Sequence, residues 1–447
     1  MFYGIFIVSK FVDNLQFKYK EGTVMKIKEL VSLISLGDLD NVFGNIYPNV
    51  TVAKERYIKA CNEFAVLYGE ENDVQLFSAP GRTEVGGNHT DHQLGCVLAG
   101  SVDLDVIAVV AKTDNSIIKV KSEGFKMDTV DVSVKEPVAE ETEHAASLIR
   151  GVSVGLENNG YKTGGFNAYT TSNVLKGSGL SSSAAFEVLI GNIISHLYNN
   201  GDVDAVTIAK ISQFAENKFF GKPCGLMDQM ASSVGGFTAI NFGDKLNPII
   251  EKVNFDFASS GHSLCIVNTG GNHADLTCEY AAITTELKDV SNYFGKDVLS
   301  QVDEGEFCNK IAELREKFGD RAVLRAMHFY DDNRRAIAER DALKAGDFDL
   351  FLKLVNESGR SSFMKLQNVF STLNVKEQGL TLALALTESV LNGRGACRVH
   401  GGGFGGTIQA FVPNDLLDEY KSKIESVFGE GNCYVLNVRP VGGTKIF

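Results

Sequence analysis

The sequence predicts two domains that combine α-helices with β-strands, and two observations support this prediction. The chain has 447 residues, 44% of them hydrophobic, and a single core rarely stays undivided beyond roughly 250 to 300 residues. Strand-like runs dominate the first half, whereas apolar residues recur at helical spacing in the second half. We place the domain boundary near Gly221, which gives domains of 25-220 and 221-447.

Four segments of the first half have clear periodicity. Val52 to Gly69 carries apolar residues on one helical face, and Ala99 to Lys112 alternates apolar residues as a strand does. Phe166 to Thr171 is typical of another strand, and apolar residues recur at helical spacing from Phe186 to Leu197. A strand, a glycine-serine loop and a helix are therefore predicted in this order.

The second half is richer in predicted helix. Ala326 to Ala345 and Phe348 to Val355 carry apolar residues with a period of about 3.6, and Gly346 between them is a typical helix stop. Near the end of the chain, a helix from Asn414 to Phe428 is predicted to precede a strand from Cys433 to Val438.

The first 24 residues fit neither a signal peptide nor a membrane span. The apolar run from Phe2 to Val8 is short, has no basic residues ahead of it and has no small-residue cleavage site behind it. Met25 opens a more ordinary amphipathic stretch. Residues 1-24 are therefore either an ordered start or a disordered or mis-started extension.

Charge and cysteine usage narrow the class of partner. The formal net charge of −13 argues against nucleic-acid binding, which needs clustered Lys and Arg. The eight cysteines lie far apart without a CxxC pair, which argues against a zinc site or a redox dithiol and predicts reduced thiols. We expect a cytoplasmic monomer that acts on small molecules, with no nucleic-acid or membrane partner.

The first candidate site is a glycine-serine run, Gly177-Ser178-Gly179-Leu180-Ser181-Ser182-Ser183-Ala184-Ala185. Its glycines let the backbone approach a ligand closely, and the helix that follows offers unpaired N–H groups and a positive dipole end. Such a loop favours phosphate, although a flexible turn is the alternative. It is not a Walker A loop, which requires the lysine of GxxxxGK[ST].

The second candidate is a polar run, Pro80-Gly81-Arg82-Thr83-Glu84-Val85-Gly86-Gly87-Asn88-His89-Thr90-Asp91-His92. It concentrates more polar chemistry than a structural turn requires, and a solvated loop with a capping Asp is the alternative. The two histidines could also suggest a metal site, but no Cys or further His lies nearby in the sequence to complete it.

The third candidate pairs two acidic residues, in Ala215-Glu216 and in Cys224-Gly225-Leu226-Met227-Asp228-Gln229. Two carboxylates near phosphates suit one magnesium ligand and one base or charge-stabilising group. Asp228 taken alone would more often be a turn or cap residue.

The fourth candidate is Gly401-Gly402-Gly403-Phe404-Gly405-Gly406, which has five glycines in six positions. It predicts either a mobile turn or a backbone that another group approaches very closely. A Rossmann fingerprint is disfavoured, because the strand-like run 407–412 follows directly where that fingerprint requires a helix.

Taken together and in this order, the four segments resemble the GHMP family of small-molecule kinases, and within it the galactokinase branch. The galactokinase pattern is PGRxNxIGEHxDY, GxGLSSSAA, AExxF followed by CGIMDQ, and a late GGGFGG. Here the chain has PGRTEVGGNHTDH, GSGLSSSAA, AENKFFGKPCGLMDQ and GGGFGG, and the run from His273 to Tyr280 is similar to the family's HxLxxxxY.

The resemblance implies an α+β fold with a two-domain GHMP kinase-like architecture and the active site in the interdomain cleft. It also implies helices on one face of the N-terminal sheet. The implied activity is ATP-dependent phosphorylation of a sugar at its anomeric hydroxyl, with galactose as the leading substrate and ATP and Mg²⁺ as cofactors.

Residue by residue, the resemblance assigns four roles. ATP phosphates go to the loop Gly177, Ser178, Gly179, Leu180, Ser181, Ser182 and Ser183, and Mg²⁺ goes to Ser183 and Glu216. The catalytic residues are Asp228 and the neighbouring Arg82. We favour Asp228 as a general base over a role in charge stabilisation alone. Sugar contacts are expected from Asn88, His89, Asp91, Gly225 and Tyr280.

The departures from the family's pattern leave the sugar open. Asn88 replaces a glutamate, His92 replaces a tyrosine, and Glu84 stands where asparagine is usual. N-acetylgalactosamine, arabinose or a uronic acid are therefore alternatives to galactose. A sugar sensor without activity is disfavoured by the intact serines and Asp228, and a kinase of mevalonate or homoserine is disfavoured by the His-Thr-Asp tripeptide.

Overall fold

Two β-sheets organise the computed structural model, which describes residues 24–174, 179–244, 247–270 and 276–447. Nine strands form the first sheet, in the main order β1-β2-β3-β6-β4-β5, with β13 added to β2 and β7 and β8 added to β3. Four antiparallel strands form the second, in the order β10-β11-β9-β12. The strands are β1 (Met25–Lys26), β2 (Asp73–Gly86), β3 (Cys96–Lys112), β4 (Ile117–Ser122), β5 (Met127–Asp131), β6 (Phe166–Ser172), β7 (Phe237–Asn241), β8 (Ile249–Val253), β9 (His262–Asn268), β10 (Ala396–His400), β11 (Thr407–Pro413), β12 (Cys433–Leu436) and β13 (Thr444–Lys445).

The α-helices pack against these sheets and join them. They are α1 (Ile27–Leu36), α2 (Asp40–Gly44), α3 (Val50–Tyr68), α4 (Ala145–Asn158), α5 (Ser182–Asn199), α6 (Ala205–Ala215), α7 (Met227–Val234), α8 (Thr277–Tyr293), α9 (Glu304–Asn309), α10 (Ile311–Phe318), α11 (Asp320–Ala345), α12 (Phe348–Ser361), α13 (Gly379–Leu391) and α14 (Leu417–Phe428). In the described part of the chain, none of them is both long and apolar enough to cross a membrane.

The predicted elements are present, with small differences at their ends. The helix predicted from residue 326 begins six residues earlier, at Asp320, and ends where predicted, because Gly346 adopts a left-handed φ of 71°. The last predicted strand is shorter than expected and ends at Leu436. Beyond it, Val438 makes only an isolated bridge to Val102.

Both faces of the first sheet are covered. Along β3, Val106 and Ala108 point into the main core, which α4, α5 and α6 also fill, whereas Ile107 and Val109 point into a second core. Helices α1 and α3 close that second core with side chains such as Tyr57. Because successive side chains of a strand point to opposite faces, a strand that is apolar at every position requires two covered faces. The expectation of helices on one face only is therefore wrong.

The boundary placed near Gly221 stays a prediction. Beyond Gly221 the chain first adds β7 and β8 to the first sheet and packs α7 against that sheet. It then forms the second sheet and returns to the first sheet with β13. The prediction for residues 1-24 lies outside the described residues, except for Val24.

A β-bulge shapes the strand that carries the polar run. The pairing of β2 with β3 shifts register between Pro80 and Arg82, and such a bulge redirects the side chains beside it. The backbone N–H of Arg82 donates to the Leu180 carbonyl over 3.0 Å. A Cβ on Gly81 would lie 2.8 Å from that same oxygen, so only glycine permits this close approach. This hydrogen bond and the close approach at Gly81 join β2 to the loop before α5.

Candidate active site

Arg82 and Asp228 form a bidentate ion pair at the centre of the site. Arg82 Nε donates to Asp228 Oδ1 and Arg82 Nη2 donates to Asp228 Oδ2, each over 2.6 Å. The remaining Arg82 nitrogen, Nη1, donates to the Gly179 carbonyl. Both side chains are mostly buried, with 12% of Arg82 and 29% of Asp228 exposed. The paired geometry fixes the orientation of the carboxylate and leaves part of it open to a ligand.

The serine loop also binds this carboxylate. Ser181 Oγ donates to Asp228 Oδ2 over 2.6 Å, and Ser181 has a left-handed φ of 56° just before α5 begins. Burial opposes the ionised form of Asp228, but the charge and hydrogen bonds of Arg82 outweigh it and hold the pKa of the carboxyl below its ordinary value. The predicted catalytic residues and the described part of the predicted phosphate loop are therefore brought together. Gly177 and Ser178 lie outside the described residues.

Ser183 and Glu216 meet as predicted for a cation site. Ser183 Oγ donates to Glu216 Oε1 over 3.3 Å, and the exposed Lys222 lies 3.7 Å from the same oxygen. A hydroxyl and a carboxylate are hard oxygen donors, which is the donor set that Mg²⁺ prefers. Among the described residues, no cluster of three or more His, Cys, Asp or Glu is arranged to hold a metal. The geometry thus fits a cation that phosphate oxygens would also ligate, and it gives no support to a histidine metal site.

Two residues behind this pair were not predicted as site residues. Gln229 Nε2 donates both to Glu216 Oε2 over 2.8 Å and to Glu187 Oε2 over 3.2 Å. Glu187 is fully buried, and its other oxygen has no hydrogen-bond partner among the described residues. Its position one turn after Ser183 on α5 was the available signal in the sequence. The single amide of Gln229 orients both carboxylates.

The predicted sugar contacts form two groups. In one group, Asp91 lies against the exposed Gly225, where a Cβ would come within 3.2 Å of Asp91 Oδ2. In the other, His89 Nε2 donates to the Gly402 carbonyl over 2.9 Å and Tyr280 Oη donates to the Gly403 carbonyl over 2.7 Å. Burial lowers the pKa of His89 to about 4, so its imidazole is neutral near pH 7.

The glycine run is held by close contacts. A Cβ on Gly402 would lie 2.6 Å from the Tyr280 ring, and one on Gly403, whose φ is 85°, would lie 2.1 Å from the Asn368 carbonyl oxygen. The prediction that another group approaches this backbone very closely is confirmed, and the group is the protein itself. This packing places the carbonyls of the run beside the polar run of β2.

Asn88 lies inside the protein and all its side-chain hydrogen bonds are made there. It is fully buried. Its Nδ2 donates to Glu84 Oε1 and to the Gly401 carbonyl, each over 2.8 Å. Its Oδ1 accepts from Asn368 Nδ2 over 2.8 Å and from Ser362 Oγ over 3.3 Å. The geometry does not support the predicted direct contact between Asn88 and a sugar, because no polar atom of the amide is free.

Arg398 is a buried charged side chain beside the site that was not predicted from the sequence. It is fully buried and donates from Nη2 to Glu84 Oε1 over 2.9 Å and from Nη1 to the Val85 carbonyl over 2.6 Å. It lies on β10, three residues before the glycine run. In the sequence, the only indication that Arg398 belongs to the site was its position next to the glycine run.

Comparison with known proteins gives two kinds of match. The model for the GHMP kinases N terminal domain matches residues 146–236, and the model for the galactokinase galactose-binding signature matches residues 62–112. A galactokinase of Clostridium beijerinckii is 29% identical over 390 residues, which cover 84% of this chain and 96% of that protein.

Solved structures share the fold. A galactokinase of Lactococcus lactis, complexed with galactose, superposes with a TM-score of 0.70 at 24% identity, covering 86% of this chain and 98% of that one. A mevalonate kinase of Methanococcus jannaschii gives a TM-score of 0.58 at 14% identity, covering 81% and 98%. The predicted resemblance and the predicted fold class are confirmed.

Proposed function

We propose, from the premise that this chain is a galactokinase-like sugar kinase with a GHMP kinase N-terminal domain, that it transfers the γ-phosphoryl group of ATP to the anomeric hydroxyl of galactose. The observation that carries this proposal is the pair of Arg82 and Asp228, which the serine loop joins through Ser181. A carboxylate fixed beside a phosphate loop is what in-line phosphoryl transfer to a hydroxyl requires.

Asp228 is the residue that receives the substrate hydroxyl. Its lowered pKa keeps it ionised near pH 7, so it accepts a hydrogen bond from the hydroxyl and aims the oxygen at the phosphorus. In a loose transition state the hydroxyl proton leaves late, when the forming bond has made it acidic, and a weak base suffices to take it. Arg82 balances the charge of Asp228 throughout.

The loop and the cation site act on the phosphates. Ser181 and Ser182 stand at the start of α5, where backbone N–H groups and the helix dipole favour anions. Ser183 and Glu216 would hold Mg²⁺, which neutralises charge on the phosphate oxygens when it is bound. Gln229 holds the Glu216 carboxylate in the orientation that this role needs.

Two walls of the cleft are proposed to bind the sugar. His89 and Tyr280 donate hydrogen bonds to carbonyls of the glycine run. Asp91 lies against Gly225, in the segment that leads to Asp228. Galactose is favoured because the matched signature is described as galactose-binding and two of the similar proteins are named galactokinases. The changes at Glu84, Asn88 and His92 are the reason to test other sugars.

The experiment is an ATP-consumption assay of the purified chain with galactose, N-acetylgalactosamine, arabinose, glucuronate and mevalonate. The proposal predicts the highest kcat/KM with galactose and no turnover of mevalonate. A higher kcat/KM with another sugar would keep the sugar kinase and replace galactose. If no sugar is turned over while sugar-dependent ATP binding persists, the chain is a sensor.

A further inference from the structure

The two departures from the family's pattern at positions 84 and 88 are reciprocal and in direct contact. The family's pattern has asparagine at the first position and glutamate at the second, whereas this chain has Glu84 and Asn88. The two side chains are joined by the bond from Asn88 Nδ2 to Glu84 Oε1, over 2.8 Å. The exchange therefore keeps one carboxylate and one amide at these two positions and moves the charge from position 88, in the turn after β2, to position 84 within β2.

The two oxygens of Glu84 differ in their surroundings. Oε1 accepts from both Asn88 and Arg398. Oε2 accepts no hydrogen bond from the described residues. One oxygen of Glu187 and both oxygens of Glu339 are buried without a partner among the described residues, whereas Oε2 of Glu84 is not among such buried atoms. The Glu84 side chain keeps 10% of its surface exposed, so Oε2 is an open acceptor.

Glu84 lies two residues beyond Arg82 on β2, so the two side chains leave the strand on the same face. The Glu84 carboxylate interacts electrostatically with Asp91 and with Arg82, which carry the proposed sugar and catalytic roles. Its neighbour Asn88 touches the Gly401 carbonyl, next to the carbonyl that His89 holds. A ligand bound between these groups could donate a hydrogen bond to Oε2. No hydrogen bond within the protein would have to break first.

We infer that Glu84 Oε2 accepts a hydrogen bond from one hydroxyl of the sugar and is a specificity-determining group of this site, with Asn88 and Arg398 as the positioning residues that hold it. The inference deepens the proposed function and rests on it. Arg398 supplies the counter-charge inside the protein, and the amide of Asn88 fixes the plane of the carboxylate. Specificity at this hydroxyl then comes from a charged acceptor, which a site of this kind uses to reject analogues that lack the donor.

The test compares sugar binding by calorimetry and kcat/KM for galactose and its 2-, 3-, 4- and 6-deoxy analogues. The wild type is expected to discriminate against one analogue by about 10-fold or more, the scale of one charge-assisted hydrogen bond. Glu84→Gln turns the open acceptor into a donor and should reduce this discrimination about 10-fold for that analogue only. Glu84→Asp shortens the side chain and should do the same while keeping Arg398 paired.

Glu339→Gln is the matched control. Glu339 also interacts electrostatically with Arg398, but unlike Glu84 it is fully buried and neither of its oxygens is exposed. This variant should keep the wild-type discrimination at all four positions. Folding of each variant is checked by circular dichroism and thermal melting, and Glu84→Asp keeps the test valid if Glu84→Gln does not fold.

The outcomes separate the inference from the proposed function. If the wild type prefers another sugar, the deoxy series of that sugar replaces the galactose series. A selective loss in the Glu84 variants then supports the inference while galactose is abandoned. If galactose is bound and phosphorylated but folded Glu84→Asp keeps the whole wild-type pattern, the inference is overturned and the proposed function stands. Binding of no sugar by the wild type overturns both.

Discussion

The two ends of the site differ in where their hydrogen bonds go. At the catalytic end (Arg82, Ser181 and Asp228), two side chains donate to the carboxylate of Asp228, whose side chain stays 29% exposed. At the sugar-reading end (Glu84, Asn88 and Arg398), the amide and the guanidinium are fully buried and are bonded inside the protein. The catalytic end thus offers its central group to a ligand, whereas the other end offers a single oxygen.

This difference indicates which kind of change each end tolerates. A substitution at the catalytic end removes a group that we propose acts on the substrate, so it should change turnover more than folding. A substitution at the sugar-reading end breaks a buried network that joins β2 to β10 and to the segment around Asn368, so it should change folding as well as specificity. The predictions below test this contrast, from the largest expected effect to the smallest.

Asp228→Asn should lower kcat roughly 10²- to 10⁴-fold, because it removes the charge that receives the substrate proton. ATP affinity should change little. Thermal stability should fall only in part, because the amide oxygen of the new side chain can still accept from Arg82 although the counter-charge is lost. Steady-state kinetics, a fluorescent ATP-analogue titration and a melting curve measure the three quantities. Ser181→Ala is the matched control, since it removes one hydrogen bond from Asp228 and keeps its charge, and its kcat should fall less. A kcat within tenfold of wild type for Asp228→Asn would refute the role of Asp228.

Asn88→Glu should lower the free energy of unfolding by roughly 3 to 5 kcal/mol, the scale of an uncompensated buried charge. The new carboxylate would lie against Glu84, and Arg398 can balance only one of the two. The exchange variant Glu84→Asn with Asn88→Glu should recover most of this loss. Urea denaturation of the wild type, both single variants and the double variant measures the coupling. If the two single effects add in the double variant, the positions are independent.

Glu339→Gln should stabilise the protein near pH 8, by about 1 kcal/mol. Glu339 is fully buried and neither of its oxygens has a partner in the described part of the chain. Burial, with the charge of Asp332, raises its pKa well above the ordinary value of 4.5.

The pH dependence of this effect has a definite sign. The folded state holds the proton more tightly than the unfolded chain, so the contribution of Glu339 is complete below the unfolded pKa and is lost as pH rises through the folded pKa. The advantage of Glu339→Gln should therefore grow as pH rises from below the ordinary carboxyl pKa of 4.5 toward the raised pKa of the folded state. Unfolding free energies at several pH values measure it, and a difference independent of pH would show that Glu339 does not titrate on unfolding.

The contact of Arg82 and Ser181 with Asp228 could be predicted from the sequence, because each of these residues belongs to a short run with recognisable chemistry. The sugar-reading end could be predicted only in part. Its contacts join residues distant in the chain, such as Asn88 with Asn368, 280 positions apart, and no local pattern reports such a pairing. The covering of both faces of the first sheet was missed for a similar reason, since β3 is apolar at every position from Val106 to Ala111 but its partners α1 and α3 lie elsewhere in the sequence.

The measurement that tests the central proposal most directly is phosphorus–proton correlation NMR of the product that the wild type makes from ATP and galactose. The proposal predicts a phosphorus coupled to the anomeric proton of the sugar, and no such product with Asp228→Asn over the same time. A phosphorus coupled to the C6 protons, or the same product formed at an undiminished rate by Asp228→Asn, would contradict it.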